Sequence, residues 1–366
     1  MSPRYKHAQV AIRGIGSCVP QHRVSNVELL ERISNFDSEA ARASFIKRQD
    51  NENNIDYTRL DEPALFDLWV QQVCGIKERP YITKGEFEER LACEHMAAIA
   101  GERALEHAGL AKEAIEHVIF STYSSNRVMP TPAATLVRML QFDQGAGGVS
   151  AVTFNGACSG FLDAFIDGYI KIAAGYFKHV LIVASENMSD KMDFTEPTSC
   201  IIFGDGAGAV VLSGVTAEDA KADDRSILGF ASAIDYSEQI NMFRGGTIYF
   251  NKGPYVQRNA VQAMYAIGKK ALLHSDLDFK DIHYIIPHQA NARITSALAG
   301  KITAEAPCQV LSTIETTGNL SSAAVPVALD MLVQGKLAAT PYLRGKRGLF
   351  VSVGGGYTFS GVTTLL

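Results

Sequence analysis

Cys158 stands in the run Asn155-Gly156-Ala157-Cys158-Ser159-Gly160. Before it lies Val149–Phe154, which reads as a strand; after it lies Phe161–Ala174, apolar on most sides except for Asp163, Asp167 and Lys171, which reads as a largely buried helix ended by Gly175. The cysteine is therefore expected on a tight strand-to-helix turn. Gly156 and Gly160 allow a sharp bend and close approach of other groups. Free amides at a helix start favour negative charge, so the expectation is a nucleophilic thiolate. The plainer alternative is a small buried cysteine beside a glycine-rich turn.

A thiolate nucleophile needs groups that move its proton and hold developing oxyanions. Of the nine histidines, His288 has the best setting. It ends an apolar strand, His283–Pro287, and opens Gln289-Ala290-Asn291-Ala292-Arg293, a position that faces the usual ligand crevice of an α/β protein. Asn319 lies in Thr316-Thr317-Gly318-Asn319-Leu320-Ser321-Ser322, a polar turn before an apolar helix, where it reads equally as a donor or as a turn-capping residue. Gly354-Gly355-Gly356 follows the last strong strand and reads as amides facing a ligand or as a tight turn. Gly204-Asp205-Gly206-Ala207-Gly208 lacks phosphate-loop spacing and runs into a strand, so it reads as a turn beside the site.

The elements that must position these residues follow from periodicity. Ala8–Ile15 and Val118–Phe120 read as strands, and Ala92–Ala108 as an amphipathic helix. Val27–Arg59 is a broken helical pattern, and 49–54 is the most polar stretch, expected as a surface loop. Two passages echo each other without gaps: 105–119, ending Ile115-Glu116-His117-Val118-Ile119, and 272–286, ending Ile282-His283-Tyr284-Ile285-Ile286. A second pair, 178–184 and 347–353, falls at nearly the same spacing. Helix, charged turn and buried strand recur in both, which suggests a duplicated α/β unit with its site where the copies meet.

Composition bounds the rest. The chain has 366 residues, 47% apolar and 20% charged, with a net charge of −5. That mix builds a core and excludes a disordered chain. No basic tract suggests nucleic acid, no apolar run reaches membrane-spanning length, and Met1–His7 has no apolar signal segment. The six cysteines, Cys18, Cys74, Cys93, Cys158, Cys200 and Cys308, form no C-x-x-C pair. They are expected to be reduced thiols in a cytoplasm, with no metal site, and all but Cys158 are expected to be filler.

Taken in order, these motifs resemble the β-ketoacyl-acyl-carrier-protein synthase III family of thiolase-fold condensing enzymes. Gly14-Ile15-Gly16-Ser17 through Pro20 and Asn26 resemble the family's opening, and Trp69 through Gly75-Ile76-Lys77-Glu78-Arg79 its next segment. The Cys158 turn, Phe203–Ala209, His288–Asn291, Gly318-Asn319 and the Gly354 run follow in family order. The resemblance implies an α/β thiolase fold, a duplicated αβαβα sandwich, here divided into 1–215, with an insertion around 32–66, and 216–366. It implies a Cys158, His288, Asn319 triad, with the Cys158 and Gly355 amides as oxyanion hole and a neutral imidazole. The reaction implied is acyl transfer from a CoA or carrier-protein thioester to Cys158, then decarboxylative Claisen condensation with a malonyl (or β-ketoacyl) thioester. It further implies carrier or CoA contacts at Trp69, Asn291 and Arg293, no cofactor, and a homodimer.

Three departures suggest a divergent branch, in specialised lipid or secondary metabolism. Val73 stands where the family's arginine follows the tryptophan, the 32–66 segment is long, and Tyr357 follows the glycines where tryptophan is more usual. The long segment reads as a gate over the acyl tunnel or as an inert surface insertion. Met129, Met188 and Met242 are expected in core packing rather than as tunnel lining. Other readings are an α/β-hydrolase with Gly156-x-Cys158-x-Gly160 as its elbow and Cys158, Asp205 and His288 as its triad, a same-fold acyltransferase or non-decarboxylating condensing enzyme, and an inactive partner subunit.

Overall fold

The computed structural model describes residues 5–48, 55–142, 148–218, 225–243, 245–250 and 253–366; the polar stretch 49–54 lies outside them. Ten strands form two mixed five-stranded sheets. The first holds β1 (Gln9–Cys18), β2 (His117–Ser121), β3 (Ser150–Phe154), β4 (His179–Glu186) and β5 (Gly206–Val215), in the order β3-β2-β4-β5-β1. The second holds β6 (Ile227–Ile234), β7 (Tyr284–Pro287), β8 (Gln309–Val310), β9 (Arg347–Gly354) and β10 (Thr358–Leu365), in the order β8-β7-β9-β10-β6. Each strand of the second sheet takes the place of the strand five earlier in the first. Directions agree as well: β2 runs parallel to β3 and β4, β7 parallel to β8 and β9, and the remaining pairs are antiparallel. Both sequence echoes fall on matching elements, 105–119 and 272–286 on β2 and β7, and 178–184 and 347–353 on β4 and β9. The fold is the duplicated thiolase-type αβαβα sandwich.

Six helices complete the pattern: α1 (Ala92–Ala108), α2 (Pro132–Met139), α3 (Gly160–Ala173), α4 (Gly253–Leu273), α5 (Ala292–Thr303) and α6 (Ala324–Val333). Helices α1 and α2 cover the outer face of the first sheet through Met96, Ala100, Ala133 and Leu136, and α4 and α5 cover the second through Met264, Ile267, Leu298 and Ile302. The middle layer is α3 and α6, enclosed by both sheets; Phe161, Phe165, Val327 and Leu329 pack there with Ile182, Val210 and Phe350. Helices enclosed on both sides must be apolar nearly all round, which is why α3 and α6 lack a wide polar face. Burying each such Phe or Leu stabilises by roughly 1.5–3 kcal/mol. Asp163, on the α3 stripe that reads as polar, accepts from Ser159 Oγ at 2.7 Å and from Ser360, which ties the start of α3 to β10.

A further helix, Glu62–Cys74, carries Trp69 and Val73. Asp61 caps it by accepting from the Ala64 amide, and Gly75 ends it with φ of 73°. In the 32–66 insertion, helix Ser38–Arg48 packs Ala41 and Phe45 on Leu65 of this helix. Beneath it the two opening segments of the family resemblance meet: buried Arg79 donates to Asn26 Oδ1 at 2.7 Å and to the Ile201 carbonyl at 2.8 Å. Among the described residues no helix is long and apolar enough to cross a membrane.

Candidate active site

The Cys158 turn forms as its glycines require. Ala157 adopts φ of 48°, and its amide donates to Asn155 Oδ1 at 3.2 Å. A Cβ on Gly156 would lie 2.7 Å from Gly160 Cα, so only glycine lets the bend close. The Gly354 backbone runs against the same turn: a Cβ there would lie 2.9 Å from both Gly156 O and Ser159 N. Strand β9 of the second sheet thereby delivers Gly355 to the nucleophile of the first half.

His288 directly follows β7, and its amide donates to Val351 O at 2.7 Å. The turn is braced by fully buried Gln289, which donates to Pro287 O at 2.8 Å and accepts from the Thr313 amide at 2.9 Å. Asn319 Oδ1 accepts from the Ser321 amide at 2.8 Å, leaving its Nδ2 as donor. Its backbone is strapped to the 201–204 segment: Asn319 N donates to Ile202 O at 2.9 Å, and Gly204 N to Asn319 O at 3.1 Å.

Cys158, His288, Asn319, Asn291, Arg293 and Gly355 line one cavity of about 510 Å³, with apolar walls that include Phe203, Ile240 and Ile294. Asn291 also caps α5 by accepting from Ile294 N at 2.9 Å. Arg293 is exposed and donates to the Gln72 carbonyl, which ties it to the helix that brings Val73 to the cavity. Trp69 is not among the lining residues. It packs against Phe36 and Phe66, with ring centroids at 5.4 and 5.8 Å. A second space, about 830 Å³, also reaches Cys158 and is lined by Tyr123, Arg127, Lys191, Met242 and Phe243 among others. Met242 lines this space and also packs against a buried cluster that includes Met188 and Phe203, in keeping with the expectation of core packing. Met129 is 83% exposed, against that expectation, and Met188 is buried as expected.

The electrostatics correct one expectation. Burial pushes the Cys158 thiol up to about 11, with Ser321 and Tyr123 opposing that rise and Glu186 adding to it. The helix start therefore does not yield a resting thiolate: desolvation outweighs the fixed partial charge. Burial also lowers His288 to about 4, so a neutral imidazole faces a neutral thiol, in keeping with the expectation for the histidine. Among the described residues, the buried His288 Nδ1 has no hydrogen-bond partner. The hydrolase reading needs Asp205 on that nitrogen. Asp205 instead accepts from Ser189 N at 2.7 Å, Ser189 Oγ at 2.6 Å and Ile82 N at 2.9 Å. The other five cysteines have the packing settings expected: Cys74 donates to Val70 O at 3.2 Å and Cys93 to Ser185 O at 3.0 Å, and all six are unpaired.

Sequence reasoning missed three residues here. Tyr123, Glu186 and Ser321 surround the sulfur from segments far apart in the chain. The available signals were Glu186 closing the strand that runs through Val180–Ala184 and the serine pair Ser321-Ser322, which begins two residues after Asn319.

A duplicated αβαβα fold with cysteine, histidine and asparagine on one cavity at the junction of its halves defines a thiolase-type condensing enzyme. The description 3-Oxoacyl-[acyl-carrier-protein (ACP)] synthase III matches residues 153–231, and that of the same synthase's C-terminal region matches 272–365. A β-ketoacyl-[acyl-carrier-protein] synthase III from Sphingopyxis alaskensis is 31% identical over 357 residues, covering 95% of this chain and 96% of its own. The crystal structure of 3-oxoacyl-[acyl-carrier-protein] synthase III from Aquifex aeolicus superposes with a TM-score of 0.78 at 27% identity, covering 98% of this chain and 100% of its own. The priming β-ketosynthase of the R1128 polyketide pathway also gives 0.78, at 26% identity, with 99% and 97% covered. The chain belongs to the 3-oxoacyl-[acyl-carrier-protein] synthase III family, as a divergent member, and is an acyltransferase-type condensing enzyme.

Proposed function

We propose that Cys158, His288 and Asn319 are the catalytic residues of a decarboxylative β-ketoacyl synthase. The observation that carries this is their convergence with Gly355 on one cavity, with thiol and imidazole both held neutral. In the first half-reaction the Cys158 sulfur bonds to the acyl carbon, the donor's C–S bond breaks, and the Cys158 proton ends on the departing thiol. The Cys158 and Gly355 amides would hold the oxyanion between those events. In the second, a malonyl thioester loses carbon dioxide, and its enolate oxygen is met by the neutral His288 imidazole and Asn319 Nδ2 as donors. The carbanion attacks the acyl carbonyl, the bond to Cys158 breaks, and the sulfur takes up one proton.

We infer a carrier-protein thioester as the acyl donor. Val73 supplies neither a cation nor a stacking face at the cavity mouth, Trp69 is engaged by Phe36, and exposed Arg293 offers charge to an acidic carrier. A specialised lipid or secondary-metabolite pathway agrees with these departures. The 1–215 and 216–366 division, a cytoplasmic location with free thiols, cofactor-independent chemistry and a homodimer complete the reading. The dimer is supported by edge strand β3, whose Ser150–Val152 are exposed beside exposed Val128 and Met129.

The test is incubation of the enzyme with acyl-CoA and acyl-carrier thioesters, read by intact mass. The expected result is an acyl adduct that forms faster from carrier thioesters and is absent in Cys158→Ala, with carbon dioxide released on adding a malonyl thioester. Persistence of the adduct in Cys158→Ala would rule out this nucleophile, and release of free acid alone would mark a hydrolase.

A further inference from the structure

Two hydroxyls meet the Cys158 sulfur and have no task in the proposed chemistry. Ser321 Oγ lies 3.4 Å from Cys158 Sγ and 2.8 Å from the Tyr123 hydroxyl, which in turn lies 3.3 Å from Met188 Sδ. Ser321 is fully buried and adopts φ of 52°, a left-handed conformation that a non-glycine residue keeps only when its surroundings hold it there. Asn319 Oδ1 holds its amide. One carboxyl braces both hydroxyl-bearing segments from beneath. Fully buried Glu186 accepts from Ser322 Oγ at 2.6 Å, from Ser124 Oγ at 2.5 Å, from Thr122 Oγ1 at 3.2 Å and from the Tyr123 amide at 3.4 Å.

Each hydroxyl carries one proton, and hydroxyl rotors turn freely to suit their partners. Tyr123 is itself a hydrogen-bond partner of the sulfur, and two arrangements of the chain differ in what Ser321 does. With Ser321 donating to Tyr123, and Tyr123 to Met188, the sulfur receives nothing from Ser321, which suits a neutral thiol. With Tyr123 donating to Ser321, and Ser321 to the sulfur, the sulfur receives a hydrogen bond, which suits a thiolate.

We propose that Ser321 is a further catalytic residue, donating to the Cys158 sulfur as it loses its proton and attacks the acyl donor, and that Tyr123 orients the Ser321 hydroxyl and presents a second hydroxyl to the sulfur. Ser321 keeps its own proton throughout; the Cys158 proton still ends on the departing thiol. The titratable groups facing the sulfur are Tyr123, Glu186 and, across the cavity, His288. Glu186 opposes the thiolate when charged, and burial raises it to about 7, so the two hydroxyls supply stabilisation that neither acid–base neighbour gives. The proposal rests on the reading of Cys158 as acyl acceptor.

The test is the rate of iodoacetamide alkylation of Cys158 from pH 6 to pH 10, followed by peptide mass in the wild type, Ser321→Ala and Tyr123→Phe. This probe needs no acyl donor. The expected result for Ser321→Ala is a rate at pH 8 about three- to tenfold lower, with the profile displaced to higher pH, because a lost donor raises the thiol while the remaining thiolate is intrinsically more nucleophilic. Tyr123→Phe, which keeps the ring and its packing, is expected to move the profile in the same direction by less. A Ser321→Ala profile that superimposes on the wild type overturns the proposal; if that variant does not fold, an unmoved Tyr123→Phe profile does so. Displaced profiles in an enzyme that no acyl thioester loads would support the hydroxyl pair as donors to sulfur and overturn the acyl-acceptor reading instead.

Discussion

The turn before α3 and the turn before α6 are two copies of one device put to different use. In each an asparagine side chain accepts from the amide two residues on, Asn155 from Ala157 and Asn319 from Ser321. In each that second residue takes a left-handed conformation, at 48° and 52°. The next residue differs: Cys158 opens onto two cavities, whereas its counterpart Ser322 is 1% exposed and bonded to Glu186. The asparagines differ too. Asn319 lines the 510 Å³ cavity, and Asn155 lines only the second space. Duplication therefore supplied one backbone frame, and the nucleophile and the amide donor came to occupy different copies of it.

The largest effect separating the copies is expected from their donors. Asn319→Asp keeps the oxygen that holds the Ser321 amide but replaces the Nδ2 donor. Condensation should fall roughly 10²–10³-fold, the loss typical of one oxyanion donor, while the acyl adduct on Cys158 still forms; His288→Ala should behave likewise. Single-turnover assays with preloaded enzyme measure this, and equal loss of loading and condensation would count against the donor roles. A second experiment asks whether position in the turn suffices. Ser322→Cys in a Cys158→Ala background places a thiol at the matching site, and intact mass should show no acyl adduct, because that side chain faces Glu186 rather than a cavity. An adduct there would mean the two turns are interchangeable. The smallest effect concerns the frame alone: Asn155→Ala should lower unfolding stability by about 1 kcal/mol, the usual worth of such a capping contact, with denaturant melts as the readout and condensation little changed.

Much of this frame was legible in the residues. Ala92–Ala108 formed a helix at the bounds its periodicity suggested, and Gly156-x-Cys158-x-Gly160 marked the turn because few sequences close that bend. What was not legible depended on residues brought together only by folding. The thiolate expectation considered the helix start alone, but burial of the sulfur raises the thiol, and Tyr123, Ser321 and Glu186, from three separate segments, act on it as well. Nothing in the neighbourhood of Trp69 showed that Phe36, from the inserted stretch, would pack against it. Helix Ser38–Arg48 likewise gave no sign in sequence that it would dock on Leu65.

The two spaces that meet at Cys158 have a consequence for how such an enzyme diversifies. The 510 Å³ side carries His288, Asn319 and Arg293, and the 830 Å³ side carries Tyr123, Arg127, Met242 and Phe243. If one receives the thiol-bearing arm and the other the acyl chain, as the proposed reaction requires, few substitutions alter both at once. Selection can then reshape the accepted acyl group through residues such as Met242 without rebuilding the condensation machinery, so new products become reachable by small, separable steps.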